Sequence, residues 1–572
     1  MVFLIINSII TFIYFKPIYE ANEIIIPYGF HPFDLCSKNM ELWQFIKNSY
    51  IFIFIFSNFI ISSFIYNRFL SKIINFLNTS KSNISNKKKI KVNSHSKNFI
   101  NSLNLLIGFD KISKSNIYIP EKGLYQNFLI TGTIGSGKTS SAMYPFTKQL
   151  LEYNSINLNS KIGMLILDVK GNYFKQVEKY AKELNLLDDL IVIGLNSNIC
   201  YNPLHKPNLK AQVLANHLKT ILLLFSENNS ESYWLDKAEQ VICEYIKLCR
   251  LYNNGYVDFL ELHKLVTIPD YYKEKINILR DLFVSSKLNN NQIYDLNASL
   301  NFFEKEYKNL DSRTRGILIS EITRITNTFV SDYDIVKTFC SPKNKLSFTG
   351  FDEVIKKGKI VVLNMNISEY STLSKIIATY LKLDFQTTVI SNLSKNFIKP
   401  SAFICDEYDK YASKTDGEFF SMSREAKCIN IVSTQSYSSL KTTLKDESFV
   451  KVIIQNLINK IWFRTDDIFT IEEAQKQLGK EEKEKISKSI SESAKETKFS
   501  YITNFLSSIN SNISETYSTY TQNDYIFDSN FFTQNLETFT ALTFLSNGNK
   551  IFLPKKLNMF PYFMDERNDY FD

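Results

Sequence analysis

Glycine is scarce in this chain, with 16 among 572 residues. Long stretches therefore lack the residue that most easily turns a backbone, and any local concentration of glycine needs a reason. Cysteine is equally thin. The seven cysteines (Cys36, Cys200, Cys243, Cys249, Cys340, Cys405, Cys428) never form CxxC. An odd, scattered set excludes a disulfide framework and a zinc knuckle. The five histidines are scattered too, with no HExxH, which removes a metal site built from His or Cys. What is abundant is Ile, Asn, Lys, Phe and Tyr. That bias suggests an AT-rich coding sequence and lowers the weight of lysine and asparagine runs. The hydrophobic share of 44% and charged share of 22% are those of a globular chain. At ~100–200 residues per domain the length allows two to four domains.

Acidic residues are absent from one long stretch. Arg68, Lys72, Lys81, Lys87, Lys88, Lys89, Lys91 and Lys97 follow one another with no Asp or Glu between them. Subtracting these eight from the net charge of +9 leaves the rest near +1. A nucleic-acid surface elsewhere must therefore come from charge arrangement, since net charge does not supply it. Asn48 to Asn67, just before the block, carries no charge and is mostly Ile and Phe. It has the ~20 residues that a helix needs to span a bilayer. Met1 to Phe15 is apolar but short. With no basic segment before it and no small-residue cleavage site after it, it reads as a first span rather than a signal peptide. The loop between the two has Lys16, Lys38 and Lys47 against Glu20, Glu23, Asp34 and Glu41. The positive-inside rule then places the N-terminus and everything after Arg68 in the cytoplasm, as a multi-pass anchor in the cell (inner) membrane. The basic block reads as topology signal and linker, able to rest on anionic headgroups.

Three glycines fall between Gly132 and Gly137, in Gly132-Thr133-Ile134-Gly135-Ser136-Gly137-Lys138-Thr139. The apolar run Asn127-Phe128-Leu129-Ile130 precedes it, and Thr139-Ser140-Ser141-Ala142-Met143 reads as a helix start. Strand, glycine loop and helix are the context that GxxxxGK[ST] requires. Glycine lets the loop turn its N–H groups inward onto phosphate oxygens, and the helix N-terminus favours an anion. The segment from Gly132 to Ser140 is thus read as a phosphate cradle for ATP. Lys138 reaches the β- and γ-phosphates, and Thr139 ligates Mg²⁺.

A cradle of this kind needs an acid. Ala402-Phe403-Ile404-Cys405-Asp406-Glu407 supplies two at the end of an apolar strand. Asp406 is assigned to the Mg²⁺ shell and Glu407 to polarising the attacking water. Cys428 to Thr434 is another buried-strand pattern, and Gln435 at its tip is read as a γ-phosphate sensor. Arg424, shortly before it, is a candidate finger toward a neighbouring subunit's nucleotide. Met164 to Asp168 and Lys359 to Asn364 add strands, and Lys460 to Arg464 extends the set. Asp168 and Lys170 fall at the correct edge for the site, where a strand-end turn explains them equally well. Strands alternating with helices predict an α/β fold: a RecA-like P-loop NTPase with a doubly wound, mostly parallel sheet.

These ordered blocks resemble the type IV secretion coupling proteins, the TraG/TraD-like conjugative DNA-transfer ATPases. The likeness rests on Ile130 to Ala142, Leu167-Asp168-Val169-Lys170-Gly171, Tyr201-Asn202-Pro203-Leu204, Tyr233-Trp234, Ile404 to Glu407, and Ser423-Arg424-Glu425-Ala426-Lys427 leading to Ser433-Thr434-Gln435-Ser436. It covers roughly residues 1–480. The resemblance implies a homo-hexameric ring on the membrane. That ring couples a relaxase-bound single DNA strand, or protein substrates, to a type IV secretion channel. It also implies an all-α domain inserted in the ATPase fold, and residues 208–340 do show helical periodicity with almost no strand signal. Trp234 reads as a core anchor. A FtsK/HerA-like duplex translocase and an ATP-ordered docking receptor without motor activity are the competing readings.

The resulting plan is a membrane anchor at 1–70, a basic linker at 71–110, ATPase halves at 111–204 and 341–478, and the all-α insertion at 205–340. At 479–572 the expectation is a charged, polar linker and a C-terminal hairpin. Lys480 to Lys485 reads as a solvated helix or linker, and Phe499 to Tyr525 as loop. Leu542 to Leu545 and Lys550 to Leu553, flanking Asn547-Gly548, predict a hairpin that closes or packs on the sheet.

Overall fold

The computed structural model describes residues 102–195, 197–225, 232–284, 289–365, 367–395, 398–493 and 512–564. The two expected membrane spans and the basic block lie outside the described residues. Among the described residues no helix is long and apolar enough to cross a membrane.

The strands are β1 (Asn104–Asp110), β2 (Ser115–Pro120), β3 (Phe128–Thr131), β4 (Gly163–Leu167), β5 (Leu190–Ile193), β6 (Ile360–Leu363), β7 (Ser401–Cys405), β8 (Cys428–Thr434), β9 (Asn459–Trp462), β10 (Lys480–Ser493), β11 (Asn512–Tyr525), β12 (Thr540–Phe544) and β13 (Lys555–Asn558). Eleven of them form one sheet in the order β2-β1-β13-β12-β9-β3-β8-β7-β4-β6-β5. From β9 to β5 every neighbouring pair is parallel. From β9 outward to β2 every pair is antiparallel. The parallel half is the expected doubly wound core. β3, β4, β7 and β8 are buried along their whole length, which is why they read as unbroken apolar runs.

The register decides the site. Thr131 lies opposite Thr434, Cys405 opposite Val432, and Leu167 opposite Cys405. The C-terminal ends of β3, β8, β7 and β4 therefore share one edge. In an open parallel sheet that edge is where ligands bind.

Between β5 and β6 the chain is helical among the described residues, from Ala211–Phe225 to Tyr333–Phe339. Side-chain caps start these helices: Asp258 accepts from the Glu261 N–H, and Asp311 from the Thr314 N–H. Asn289 and Gln292 form a reciprocal capping box. Phe259 stacks on Phe329 at 3.8 Å between centroids and joins two of the helices.

Three boundaries differ from expectation. The sheet begins at Asn104, inside the stretch expected to be linker. The charged run Lys480 to Lys485 is strand, not helix or linker, and much of the expected loop before Tyr525 is its partner strand. β10 and β11 pair antiparallel from Lys480↔Tyr525 to Ser493↔Asn512. Cross-strand charges and the Thr and Tyr residues of β11 make this ribbon; Lys485 meets Asp524 at 3.1 Å and Lys488 meets Glu515 at 2.9 Å. In the C-terminal hairpin the turn falls at Asn547-Gly548, with Gly548 at φ +95. Lys550 to Leu553 contributes only a bridge at Ile551, however, and β12 takes β13 as its partner. Pairing of β12 with β9 joins this hairpin to the parallel half of the sheet.

Candidate active site

The glycine loop leaves β3 at Thr131 and is held from outside by two other segments. The Thr133 N–H donates to the Arg464 carbonyl at 2.8 Å, just beyond β9. A side chain at Gly132 would meet the Phe463 Cβ at 2.6 Å. Gly137 turns with φ +100, and a Cβ there would lie 2.6 Å from the Phe539 ring. The Phe539 N–H donates to the Ser136 carbonyl at 3.2 Å, so the chain before β12 buttresses the loop. Gly135, at φ +76, and the exposed Ile134 form the apex. Ser136 ties its hydroxyl to the Thr133 carbonyl at 2.7 Å, and the Ser140 hydroxyl reaches the Gly137 carbonyl at 3.3 Å.

The first turn after the loop, Thr139–Met143, is a π-turn, and an α-helix, Tyr144–Ile156, follows. Pro145 explains it. Proline has no N–H to give the Ser141 carbonyl, and its ring crowds that carbonyl, so the turn widens.

Lys138 is buried. Its ammonium folds back onto the Gly132 carbonyl and the Thr133 carbonyl, the latter at 3.2 Å. Burial lowers its pKa, while Asp406 and Glu407 pull in the opposite direction. The Thr139 hydroxyl donates to Asp406 Oδ2 at 2.7 Å. The two residues expected to share a cation are thus already in contact. Two hard oxygen donors meeting there suit Mg²⁺, which takes few protein ligands beside substrate phosphates.

The Asp406 N–H is fixed by the Leu167 carbonyl at 3.0 Å, which registers β7 against β4. Its Oδ1 accepts from the Ser433 hydroxyl and from the Glu407 N–H. Glu407 itself sits in the left-handed region at φ +51, a conformation that costs a non-glycine residue roughly 1–2 kcal/mol. Its carboxylate pairs with Lys170 Nζ at 2.8 Å. Burial alone would pull the Lys170 pKa down, but Glu407, Asp406 and Asp168 outweigh it and raise it. Asp168 staples the loop after β4, accepting from the N–H groups of Lys170, Asn172 and Tyr173 at 3.1, 3.0 and 3.1 Å. Burial raises its pKa against those hydrogen bonds, and the Asp406 charge adds to the rise.

Gly132 to Ser140, Asp406 and Glu407 therefore share one edge, and Gln435, half-buried, follows β8 between the β3 and β7 ends. Arg424 does not join them. It precedes β8, at the opposite edge of the parallel sheet, where its guanidinium meets the Gly548 carbonyl at 3.4 Å. Trp234 is half-buried against the helical core, so it anchors that core from its rim.

Three contributors escaped the sequence reading: Ser433 as a partner of Asp406, Lys170 as the partner of Glu407, and Phe539 as a buttress. For the first two a signal existed, since each stands at the end of a strand next to β7. For Phe539 there was none.

The Asn-Pro-Leu block has a structural role. Asn202 donates to the Tyr256 hydroxyl and the Val257 carbonyl, both at 2.9 Å, and so fixes the entry to the helical insertion. Close by, Lys206 pairs with Asp384 at 2.6 Å, out of solvent. Asp384 belongs to the long helix Ile367–Ser391, whose Lys382 pairs with Asp416 at 2.7 Å in full burial. Asp416 also accepts from Tyr408, one residue past Glu407.

Residues 400–523 match the family described as the TraM recognition site of TraD and TraG. No curated protein matches the sequence. Among solved structures, the bacterial conjugative coupling protein TrwBdeltaN70 in an unbound form aligns at 13% identity and TM-score 0.53, over 80% of this chain and 88% of that one. The plasmid coupling protein TrwB in complex with ADP and Mg²⁺ aligns at 14% identity and TM-score 0.51, over 77% and 87%. At such identity the structures show a shared fold, and the matched segment adds a link in sequence. In ordered motifs, in that segment and in fold, the chain is similar to the type IV coupling protein family.

Proposed function

We propose that this chain is a membrane-anchored coupling ATPase. It docks a relaxase-bound single DNA strand, or a protein substrate, at a type IV secretion channel and drives its transfer by ATP hydrolysis. The observation that carries the reading is the meeting of Lys138, Thr139, Asp406 and Glu407 at one sheet edge. A phosphate cradle, a metal ligand pair and a general base are what phosphoryl transfer to water requires. The similarity to TraD, TraG and TrwB supports the coupling role, from which we infer the cargo class and the hexameric ring, and the uncharged segment Asn48 to Asn67 supports the anchor.

In this reading the loop N–H groups and Lys138 bind the β- and γ-phosphates of ATP. Lys138 leaves the Gly132 and Thr133 carbonyls to do so. Thr139 and Asp406 would hold Mg²⁺, which would neutralise phosphate charge. Ser433 and the Leu167 carbonyl keep Asp406 oriented. Glu407 takes a proton from the attacking water, and Gln435 senses the γ-phosphate from the β8 tip. Arg424 serves a neighbouring subunit.

The test is hydrolysis by the full-length protein with and without DNA at low salt. Single-stranded DNA should raise the rate, duplex DNA should raise it less, and Lys138→Ala should abolish it. Stimulation by duplex alone favours a FtsK/HerA-like translocase. A Lys138→Ala protein that still supports transfer in a mating assay favours the docking receptor.

A further inference from the structure

Resting on that reading, we propose that Lys170 is a γ-phosphate ligand held in reserve. It pairs with Glu407 while the site is empty of nucleotide and moves to the γ-phosphate when ATP enters, releasing the base.

The ion pair is unequal. The Glu407 side chain is 12% exposed and the Lys170 side chain 59%. The glutamate is the more buried partner, and the lysine is the arm with room to move. Its root is rigid, because Asp168 holds the N–H groups of Lys170, Asn172 and Tyr173, and Gly171 completes the turn at φ +68. Only the four-carbon stem has freedom. A short root and a flexible stem suit a point charge that must change partners.

The arm ends beside the acidic corner at the cradle edge, 2.8 Å from the Glu407 carboxylate. The Lys170 charge is one of those acting on Lys138 and on the Asp406–Glu407 corner. Lys138 and Lys170 both reach the edge that holds the cradle and the Asp406–Glu407 corner, Lys138 onto the loop carbonyls and Lys170 onto the Glu407 carboxylate. A terminal phosphate offers three anionic oxygens to such donors. ADP lacks that group, so it gives Lys170 no reason to leave.

The pairing has a chemical consequence. A carboxylate accepting a charge-assisted hydrogen bond is poorly placed to accept a proton from water. While Lys170 holds it, Glu407 is idle. Exchange couples the arrival of the γ-phosphate to the freeing of the base. Lys170 is thereby a ligand of the substrate and a positioning residue for Glu407 in turn.

The experiment measures the affinity of a non-hydrolysable ATP analogue and of ADP, each with Mg²⁺, for the full-length protein in detergent with Glu407 intact. Lys170→Met is then added. The expected result is an approximately tenfold loss of ATP affinity with ADP affinity unchanged. Tenfold corresponds to about 1.4 kcal/mol. Lys170→Arg should restore most of the ATP affinity, because it keeps the charge on a similar stem. Equal losses for ATP and ADP would make Lys170 merely structural and overturn the proposal, as would no loss for either. If the protein with Lys170 intact binds neither nucleotide, the ATPase reading falls and this proposal with it. If that protein binds both and Lys170→Met leaves their ratio unchanged, the ATPase reading stands and the exchange alone falls.

Discussion

Among the described residues, the lysine–carboxylate pairs at the cradle edge and on the long helix are built in opposite ways. At the cradle edge Lys170 reaches Glu407 from solvent. On the long helix, the Lys382–Asp416 side chains are 0% exposed, and the Lys206–Asp384 side chains are 7% and 3% exposed. Lys382 also donates to the Tyr411 carbonyl at 2.7 Å and the Ser413 hydroxyl at 2.9 Å, so its ammonium is saturated. An ion pair in water is worth little and reforms easily. A buried pair cannot be opened without leaving a charge in low dielectric. The first kind suits a contact that is exchanged in each cycle. The second fixes geometry. Here it ties the segment after Glu407 to the long helix on one side and the entrance of the helical insertion to the same helix on the other.

The largest effect expected from this contrast is at the buried pair. Lys382→Met leaves Asp416 without its cation, and breaking such a pair costs about 3–5 kcal/mol. The urea midpoint should fall sharply, and a change under about 1 kcal/mol would show the pair to be dispensable. Next comes His217, which packs on the same helix. Its Nε2 meets the Thr387 hydroxyl at 2.9 Å. Burial lowers its pKa to about 4, with Lys206 acting the same way and Asp384 against it. A depressed folded-state value means that the unfolded chain binds the proton more readily. This contribution is therefore complete above pH 6.5 and is lost as pH falls toward 4. Its size is on the order of 3 kcal/mol. Unfolding midpoints measured across pH 7.5 to 4.5 should fall more steeply for the wild type than for His217→Gln. The smallest effect belongs to Lys170. Lys170→Met should move the midpoint by less than about 1 kcal/mol, because its head is solvated. A large loss there would erase the distinction between the two kinds of pair.

The cradle, the Asp406-Glu407 corner and the helical insertion were legible because each is a local pattern. Glycine spacing, an apolar strand ending in acids, and period-3.6 stripes need no knowledge of distant contacts. The place of Arg424 at the opposite edge from the cradle was not legible, because which edge of a sheet a residue occupies depends on strand direction. The β10–β11 ribbon was hidden because its strands are specified by cross-strand charges and by Thr and Tyr, with no apolar alternation to reveal them. Lys382 and Asp416 are far apart in sequence, and nothing in either neighbourhood marks them as partners. Phe539 meets the glycine loop only through the fold. The expected membrane segments lie outside the described residues and remain expectations from hydropathy and charge.

The most direct test of the account concerns Glu407. Phosphate release and ATP binding are measured on full-length wild type and Glu407→Gln, with Mg²⁺ and single-stranded DNA present. The account predicts that the glutamine variant keeps its ATP affinity and loses turnover by about 10²–10⁴-fold, the usual worth of a positioned general base. Turnover at the wild-type rate would contradict it and place the hydrolytic chemistry elsewhere.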